Sequence, residues 1–501
     1  MMQLPALLVT LSGALTTYLA LSLIRRYWQL KHVPGPFLAA FTNFWRFRIQ
    51  YFGRGAIQPV VHDLHKRYGP VVRVGPNTVS LADPADIGVV FNPRAGFVKA
   101  DSYGTMRAFV KGRSIGSILD IQDEEKSKAI RRAVGGVFLT RNMVEDHERD
   151  VDAMVEALVE SLERYGDAAF NLYAHMQRFQ IDTMLKVAFG EDAGCLRQGR
   201  DMVGLSGLPY KRLMHWYTWQ AMPELEKFIF QNWMWSGWLV RRKPSRWASE
   251  GVARVEARKG TKALETSGRK DLLQKYIDGS RAHPDAIPQQ TLFGLVNSTI
   301  SAGTDTTAGA LSVIIYYLMK NPEVLRKLLR ELQDAGLSPD SVSPIRYNQV
   351  EGLPYLDAVI KEALRLHAAL GTLLERKVPP QGCTLAGVHL PGGTVVGFAP
   401  YVIHRDEAYF GRDADVFRPE RWLEVDQKGR QAMERSSLVW SQGSRICLGK
   451  NLAELEMKKV VPTLVLKFEF KLCDPGLDIT FERGIFEGEE RPVMVTAAVK
   501  A

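Results

Sequence analysis

The first pattern along the chain is an uncharged, mostly apolar run at the N-terminus. It extends from Leu4 to Ile24 and is followed directly by Arg25 and Arg26. At about 1.5 Å per residue, a helix of this length spans roughly 31 Å, close to the hydrocarbon thickness of a bilayer. A cleaved signal peptide is the alternative, but no basic residue precedes the run and no clear cleavage site follows it. We therefore expect one membrane-spanning anchor, with the body of the protein on the cytoplasmic side.

Beyond the anchor, the pattern predicts a stiff hinge and then a mainly helical body. Two prolines flank a glycine at the end of the basic segment 25–36, which makes a sharp bend. Val71 to Ala82 alternates around a Gly-Pro-Asn turn, as a β-hairpin does. From about Glu124 to Arg330, leucine and valine recur at helical spacing. Strand-like segments return around Cys383 to Val396 and near the C-terminus, so the fold class is mainly α with a small β region.

Six of the ten tryptophans fall between Trp216 and Trp247, close to Arg241, Arg242 and Lys243. Aromatic rings beside basic residues suit a membrane interface. Burial in the core is the alternative, and the sequence alone does not decide between the two.

Length, composition and charge exclude some classes of protein. A chain of 501 residues that is 46% hydrophobic can bury a large core, and about 150 residues per domain gives two to four domains or one large body. The formal charge is +10. No block of basic residues interleaved with aromatics and no finger-type cysteine spacing indicates nucleic acid binding. An anionic membrane surface or an acidic protein partner fits this charge at least as well.

One of the four cysteines stands in a sequence that indicates chemistry. Gly443 and Gly449 bracket Cys447, Arg445 precedes it by two residues, and a helix is predicted from about Lys450. Glycines let a backbone turn tightly and come close to a flat ligand. A sulfur ahead of a helix N-terminus is favoured as a thiolate. Such a thiolate suits iron ligation. The other cysteines, Cys195, Cys383 and Cys473, are interpreted as small apolar residues.

A second segment places polar groups inside an apolar helix. Gly303, Asp305 and Thr306 lie within a helix that we expect to run roughly from Leu292 to Met319. Asp is costly to bury, and Thr can bond back to a carbonyl one turn earlier and open the helix locally. An opened turn would admit water beside a buried acid. A satisfied polar patch is the alternative.

A third segment pairs an acid with a base. Glu362 and Arg365 share one helical face at i, i+3 spacing, and such a pair is worth only a few tenths of a kcal/mol when exposed. Further along, Arg421 and Trp422 close a Pro-Glu-Arg-Trp sequence.

Taken in the order of the chain, these segments resemble four motifs of the cytochrome P-450 family: A/G-G-x-D/E-T, E-x-x-R, P-E-R-F and F-x-x-G-x-R-x-C-x-G. Trp422 and Trp440 stand where the family usually has phenylalanine. The resemblance implies the mainly α cytochrome P-450 fold, with an anchor at 1–24, a hinge at 25–36 and a haem-binding monooxygenase domain at 37–501. More narrowly, the chain is similar to fungal members of the pisatin-demethylase type, which act on secondary metabolites.

The resemblance assigns a role to each motif. Cys447 becomes the axial ligand of haem iron, in a loop framed by Trp440, Gly443 and Gly449. Thr306 holds dioxygen and its waters while Asp305 feeds protons, and Gly303 lets oxygen lie close to the helix backbone. Glu362, Arg365 and Arg421 form a structural trio that supports the loop behind the haem.

The resemblance also indicates three cations for the two haem propionates. Arg131 matches the arginine of the family's W-x-x-x-R motif, although Ser127 occupies the tryptophan position. Arg376 follows the E-x-x-R helix in a predicted strand, and Arg445 lies in the cysteine loop. Each of these arginines taken alone would be interpreted as a surface charge.

The reaction that follows from the resemblance is the insertion of one atom of O₂ into an organic substrate. Electrons come from NADPH through cytochrome P-450 reductase, a flavoprotein whose acidic face would meet a basic face around the cysteine loop. We expect the enzyme at the endoplasmic reticulum membrane, spanning it once, with the catalytic domain on the cytosolic face. Nucleic acid is not expected as a partner.

Two alternatives and the identity of the substrate stay open. A haem-thiolate isomerase or dehydratase needs no reductase, but relatives of that kind tend to lose the acid–hydroxyl pair. A non-catalytic haem carrier or sensor would not need this pair either. The family's pocket segments correspond to residues 101–121, 216–247, Val296–Ala302, Leu370–Leu373 and the turn near Phe486. Most of these residues are apolar, so a lipophilic small molecule is expected.

Overall fold

The part of the chain visible in the structure, a computed structural model, begins within the predicted anchor. The described residues are 13, 14, 17, 21, 22, 24–53, 57–110, 113–232, 246–260, 271–339, 344–479 and 492–500. Within these ranges, no helix combines the length and the apolar character needed to cross a bilayer. Most of the predicted anchor lies outside them, as do Phe486 and the basic cluster Arg241, Arg242 and Lys243.

Helices form most of the described chain, as the spacing of leucine and valine predicts. Asp123, Asn171 and Asp271 each start a helix by accepting the backbone N–H three residues ahead. The helices are α1 (Phe44–Phe52), α2 (Gln58–Tyr68), α3 (Ile87–Val90), α4 (Glu124–Val134), α5 (Thr140–Glu163), α6 (Leu172–Phe189), α7 (Cys195–Gln198), α8 (Leu208–Trp219), α9 (Pro223–Phe230), α10 (Arg246–Gly260), α11 (Leu272–Ala282), α12 (Gln289–Lys320), α13 (Pro322–Asp334), α14 (Tyr347–Val350), α15 (Pro354–Leu366), α16 (Pro400–Ile403), α17 (Glu407–Phe410), α18 (Arg421–Glu424), α19 (Gln427–Ser436) and α20 (Lys450–Lys467). Short 3-10 segments are Phe37–Ala40, Pro84–Asp86, Asp101–Met106, Gly135–Phe138 and Gly443–Arg445.

The long helix α12 lies at the centre of the helical body. It packs against α6, α10, α11, α15 and α20. A helix that is surrounded on most sides needs apolar residues around most of its circumference, and α12 is buried along nearly its whole length. Since α20 begins directly after the cysteine loop, the contact between α12 and α20 brings the two predicted motifs to one region of the molecule.

Small sheets complete the fold, and the predicted hairpin is confirmed. Strands β1 (Val71–Gly75) and β2 (Thr78–Leu81) pair antiparallel across the Gly-Pro-Asn turn. The remaining strands are β3 (Val98–Lys99), β4 (Ala108–Val110), β5 (Arg113–Ile115), β6 (Phe170–Asn171), β7 (Leu374–Lys377), β8 (Cys383–Leu385), β9 (Val388–Leu390), β10 (Val395–Phe398), β11 (Phe468–Leu472) and β12 (Met494–Val499). The largest sheet has the order β1-β2-β10-β7-β3. A three-stranded sheet has the order β11-β12-β6, and β4-β5 and β8-β9 form two-stranded hairpins.

The Pro-Gly-Pro hinge is docked on this sheet. Arg73 N–H donates to the carbonyl of Pro34 at 2.7 Å. A Cβ on Gly35 would overlap the carbonyl oxygen of Arg73, so only glycine permits this approach. The buried Arg73 guanidinium donates to carbonyls on both sides of the hinge, including those of Arg26 and Ala40. The segment that leaves the predicted anchor is thereby held against β1.

Candidate functional site

The cysteine loop runs from the 3-10 segment Gly443–Arg445 to the start of α20. Cys447 N–H donates to the carbonyl of Trp440 at 2.7 Å, which folds the loop back on itself. Gly443 has a φ of +65°, and a Cβ there would overlap the carbonyl oxygen of Phe91. No atom lies within 4 Å of a Cβ built on Gly449. The positive φ of Gly443 confirms the tight turn predicted for this loop, and the missing side chain also makes room for Phe91. Gly449 leaves open space where a Cβ would stand.

The sulfur of Cys447 lies where the protein can stabilise a negative charge. The residue is exposed on one side. Elsewhere protein surrounds the thiol, and this burial raises its pKa above the usual value. The backbone N–H groups of Gly449 and Lys450 and the charge of Arg131 act in the opposite direction. A metal cation on the open side would remove the remaining proton, since a coordinating thiol is deprotonated.

Buried cations gather beside the cysteine. Arg376 and Arg445 are buried and Arg131 is half-buried. Lys99 on β3 belongs to the same group, because burial and then the charges of Arg376, Arg445 and Arg131 lower its pKa well below the usual value. Arg131 in turn lies close enough to Cys447 for the two charges to interact. The arginines predicted from the resemblance are thus brought together, with a lysine that the sequence did not indicate.

This cluster of Lys99, Arg131, Arg376 and Arg445 fits a dianionic group. Within the described residues, its one direct ion pair with a carboxylate joins Arg445 to Glu124 at 2.8 Å. Nη1 of Arg445 and Nε of Arg131 are buried without a hydrogen-bond partner among the described residues. Buried cationic donors in this state are costly unless an anion accepts from them. The two propionates of a haem would supply acceptors.

Ser127 occupies the tryptophan position of the W-x-x-x-R motif. Its side chain is buried on α4, and its Oγ has no hydrogen-bond partner within the described chain. The hydroxyl of serine is too short to donate a hydrogen bond as far away as an indole N–H at the same position would. Lys99 supplies the additional cation from another element, and its Nζ donates to the carbonyl of Leu119 at 2.7 Å.

The central helix opens one face towards the site. Among residues 291–320, Ala302 alone is exposed, in the middle of a helix that is otherwise covered. Thr306 lies one turn further on the same face and is half-buried, and its hydroxyl donates to the Ala302 carbonyl at 2.6 Å. The back-bonding predicted for this threonine is confirmed. An exposed alanine at the centre of the molecule indicates an internal cavity.

Asp305 lies on the other side of the same turn. Its Oδ1 accepts from Nε2 of Gln177 on α6 at 2.8 Å, and its Oδ2 accepts from the backbone N–H of Tyr210 on α8 at 3.1 Å. The carboxylate is therefore buried and satisfied between helices, behind the hydroxyl of Thr306. Water must connect the two groups for a proton to pass between them.

Gly303 has a packing role that the sequence did not indicate. A Cβ on this residue would come within 2.5 Å of Sδ of Met184 on α6. The glycine therefore allows α6 and α12 to pack closely. The local motif gave the residue type correctly but not the direction in which it faces.

The predicted structural trio is confirmed and extended. Arg365 binds Glu362 through two bonds of 2.8 Å, and Arg421 Nε donates to the same carboxylate at 2.8 Å. The backbone N–H of Arg418 and the indole N–H of Trp422 donate to it as well, each at 3.0 Å. All three members of the trio are buried. The tryptophan that replaces the family's phenylalanine adds a hydrogen bond that phenylalanine cannot make.

The aromatic stretch is divided between core and surface. Trp216 is buried, with its ring 5.2 Å from that of Tyr103. Trp219 is half-buried between Phe47 and Phe230, with ring centroids 5.1 Å from each. The other tryptophans of the stretch, up to Trp247, lie outside the residues whose side chains are described.

Comparison with known proteins identifies the family. The cytochrome P-450 family matches residues 34–489. The chain is 34% identical over 458 residues to the cytochrome P-450 monooxygenase cicH of Emericella nidulans, covering 89% of each chain. It is 34% identical to a cytochrome P-450 monooxygenase of Aspergillus terreus, over 90% of this chain and 92% of that protein. It is 33% identical to the cytochrome P-450 monooxygenase mfmA of Annulohypoxylon moriforme, over 92% of this chain and 91% of that protein. With its cysteine loop, its cation cluster and the buried Glu362 trio, the chain belongs to the cytochrome P-450 family of haem-thiolate monooxygenases.

Proposed function

We propose that the enzyme oxidises a lipophilic small molecule of secondary metabolism at the face of α12 that carries Ala302 and Thr306. Haem, bound through Cys447 and the cation cluster, supplies the chemistry by which one atom of O₂ enters the substrate. The observation that carries the proposal is the exposure of Ala302 at the centre of an otherwise covered helix. A cavity bounded by a methyl group and a hydroxyl suits an apolar substrate and one proton donor.

Apolar side chains from the predicted pocket segments support a lipophilic substrate. Met106, Ile118 and Leu370 are partly buried against the helical core. Leu448, next to the ligand cysteine, is placed in the same way. Burial of an apolar substrate against such side chains gains about 25 cal/mol per Å² of apolar surface.

Thr306 and Asp305 have separate roles in proton delivery. Thr306 Oγ1 lies on the exposed face, where its lone pairs can accept from water. Its hydrogen is donated to the Ala302 carbonyl and becomes available to an oxygen in the cavity only when that bond is released. Asp305 accepts two hydrogen bonds and stays behind the helix, where it replenishes the proton through water. The intact acid–hydroxyl pair favours oxygen activation over the isomerase, dehydratase and carrier alternatives.

A surface suited to a redox partner lies on the outer side of the cysteine loop. A depression of about 400 Å³ is lined by Trp440, Ile446 and the lysines Lys361, Lys450 and Lys458, together with acidic residues. Lys361 pairs with Glu434 at 2.8 Å, so the face has mixed charge and is less basic than expected. A flavoprotein reductase that takes electrons from NADPH would dock here, with electrons entering beside Cys447.

An exposed aromatic surface supports attachment to a membrane. Phe52 is 74% exposed and Phe37 is 77% exposed. Ring contacts connect this surface across elements, since Phe47 on α1 meets Trp219 on α8 at 5.1 Å. Leu38, Phe44 and Tyr51 are exposed on the same N-terminal segments, and Leu225 and Phe228 are exposed on α9. Together with the apolar run 4–24, this surface supports a single anchor in the endoplasmic reticulum membrane, with the catalytic domain on its cytosolic face.

Binding spectra and product analysis test the proposal. The purified holoenzyme is titrated with a panel of lipophilic metabolites while the displacement of the haem's water ligand is followed by absorbance. Compounds that bind are incubated with NADPH, O₂ and a flavoprotein reductase, and the products are examined by mass spectrometry. We expect a mass gain of one oxygen atom, or loss of a methyl group, that depends on both O₂ and NADPH. Turnover without O₂ or reductase would refute monooxygenation and favour an isomerase.

A further inference from the structure

A buried polar network joins four elements beside the largest sheet. Arg46 on α1 forms an ion pair with Glu375 on β7, from Nη1 to Oε1 at 2.8 Å. The other carboxylate oxygen accepts from Ser102 Oγ, in the 3-10 segment Asp101–Met106, at 2.5 Å. Arg46 Nη2 donates to the carbonyl of Gln220, at the end of α8, at 3.0 Å. Arg46, Ser102, Gln220 and Glu375 are each no more than 2% exposed.

The network extends to the loop that leads into β7. Gln220 Nε2 donates to the carbonyl of Leu373 at 2.8 Å, and Gln220 Oε1 accepts from Thr372 Oγ1 at 2.5 Å. Tyr217, one turn earlier on α8, accepts from the N–H of Gly371 at 2.8 Å. This loop follows Leu370, one of the apolar groups of the proposed pocket. The network therefore fastens a wall of the pocket to α1 and α8.

The network lies between the exposed rings of α1 and the loop that follows Leu370. On its outer side, α1 exposes Phe44 and Tyr51, to which a lipophilic molecule would adsorb first. On its inner side, Tyr103 follows Ser102 and packs on Trp216. The contacts lead from the exposed rings of α1 through Arg46 and Gln220 to the loop that follows Leu370, a residue of the proposed pocket.

Some polar atoms of the closed network have no hydrogen-bond partner within the described chain. Nε of Arg46 is buried without a partner, and one turn along α1 both amide atoms of the fully buried Gln50 lack partners within the described chain. Unpaired buried polar atoms cost free energy in the closed state, and water admitted on opening would relieve this cost. A purely apolar contact at the same place has no unpaired polar atoms, so admitted water would not favour its opening.

We propose that the Arg46–Glu375 ion pair is a gate on the substrate route and selects substrates by size. Bulky lipophilic molecules reach the haem only when the pair separates, whereas very small ligands enter without its opening. This inference rests on the proposed function, because it takes the aromatic surface as the side from which substrate arrives. Arg46 and Glu375 are positioning residues and do not take part in the oxidation itself.

Two haem ligands of different size test the gate. Association of cyanide and of clotrimazole with the holoenzyme is followed by stopped-flow absorbance in the wild type and in Glu375→Gln, which keeps the side-chain size. We expect the association rate constant of clotrimazole to rise about tenfold and that of cyanide to stay within about twofold. The reason is that removal of one charge from a buried ion pair removes most of the attraction between the two side chains. Arg46→Met should act in the same way, and the double variant should exceed neither single variant, because both act through one pair.

The control removes a charge from a buried ion pair far from the route. Asp152 on α5 pairs with Lys459 on α20 at 2.7 Å, and Asp152→Asn should leave the ratio of the two rate constants unchanged. The gate is refuted if Glu375→Gln and Arg46→Met, both with intact haem spectra, change the two rates by the same factor or change neither. Failure of the wild type to bind clotrimazole at equilibrium would instead count against the lipophilic pocket.

Discussion

The indole N–H of Trp422 donates to Oε2 of Glu362 at 3.0 Å, in a site where both side chains are almost completely buried. Glu362 also accepts from two arginines and a backbone N–H. Trp422→Phe removes one donor from a buried carboxylate and leaves a small gap. We expect the free energy of unfolding to fall by about 1.5–3 kcal/mol, the range for hydrogen bonds to charged groups. Denaturant unfolding followed by tryptophan fluorescence and haem absorbance measures this change.

Trp28, which is 59% exposed, gives the matched control. Trp28→Phe makes the same change of side chain at the surface and should alter the stability by less than about 0.5 kcal/mol. Equal effects of the two substitutions would mean that the bond to Glu362 contributes nothing.

Cys447 is the residue on which haem ligation depends. Cys447→Ala removes the sulfur, so the reduced protein with carbon monoxide should lose the red-shifted Soret band of thiolate-bound ferrous haem. Cys473 is also exposed but lies at the end of β11, and Cys473→Ala should leave the band unchanged. An unaltered band in Cys447→Ala would assign the ligand to another residue.

Lys99 should contribute to haem retention although no motif contains it. Burial and the charges of Arg376, Arg445 and Arg131 lower the pKa of its amine, and a propionate nearby would favour the charged form. Lys99→Met keeps the length of the side chain, and we expect haem affinity to fall about tenfold to hundredfold, as for the loss of a charge-assisted hydrogen bond. The rate of haem transfer to apomyoglobin measures the loss.

Lys377, which pairs with Asp101 in the neighbouring part of the sheet, is the control for Lys99. Lys377→Met removes the same charge outside the cluster and should leave haem transfer within about twofold of the wild type, because a partly exposed pair contributes little. Identical transfer rates in the wild type and Lys99→Met would exclude Lys99 from propionate binding.

Thr306 should matter for the use of electrons more than for haem binding. Thr306→Ala removes the hydroxyl that faces the cavity and bonds to Ala302, so protons are delivered less directly. We expect product formation to fall roughly 10²-fold while hydrogen peroxide per NADPH rises, in keeping with the usual contribution of positioned proton donors. Thr306→Ser keeps the hydroxyl and should retain most of the coupling. Unchanged coupling in Thr306→Ala would remove this residue from the mechanism.

Local sequence patterns predict the residues of the candidate site but not the contacts between distant segments. The cysteine loop, the back-bonding threonine and the Glu362–Arg365 pair each depend on residues within one turn or one loop, so spacing alone predicts them. Lys99 gave no signal because it lies in a two-residue strand, and its companions come from other elements. The packing contacts of Gly303 and Gly443 could not be predicted for the same reason. Their neighbours, Met184 and Phe91, are more than a hundred residues away in the sequence.

The buried ion pair between Arg46 and Glu375 shows the same limit of sequence reasoning. The two residues are 329 positions apart, and neither belongs to a motif. Strand alternation indicates only that Glu375 and Arg376 face opposite sides of β7. Which side meets the cation cluster and which meets α1 is decided by the packing of the whole sheet.

Glu456 on α20 and Gln180 on α6 form a second buried polar pair, one that should make stability depend on pH. Gln180 Nε2 donates to Glu456 Oε2 at 2.9 Å, while Glu456 Oε1 and Gln180 Oε1 have no partner within the described residues. A proton on Glu456 would join these two oxygens. Burial raises the pKa of Glu456 from 4.5 to about 8, so the folded protein holds this proton at neutral pH.

The direction of the pH effect follows from proton linkage. Between pH 4.5 and about pH 8 the folded state keeps a proton that the unfolded state has released, so stability from this group falls as the pH rises. It is fully present below pH 4.5 and absent above about pH 8. From pH 6 to pH 9 the wild type should lose about 2–3 kcal/mol through Glu456. Glu456→Gln keeps both hydrogen bonds with a group that does not titrate, so this component should disappear. Urea unfolding of both proteins at pH 6 and pH 9 measures it, and equal losses in the two proteins would show that Glu456 does not hold the proton.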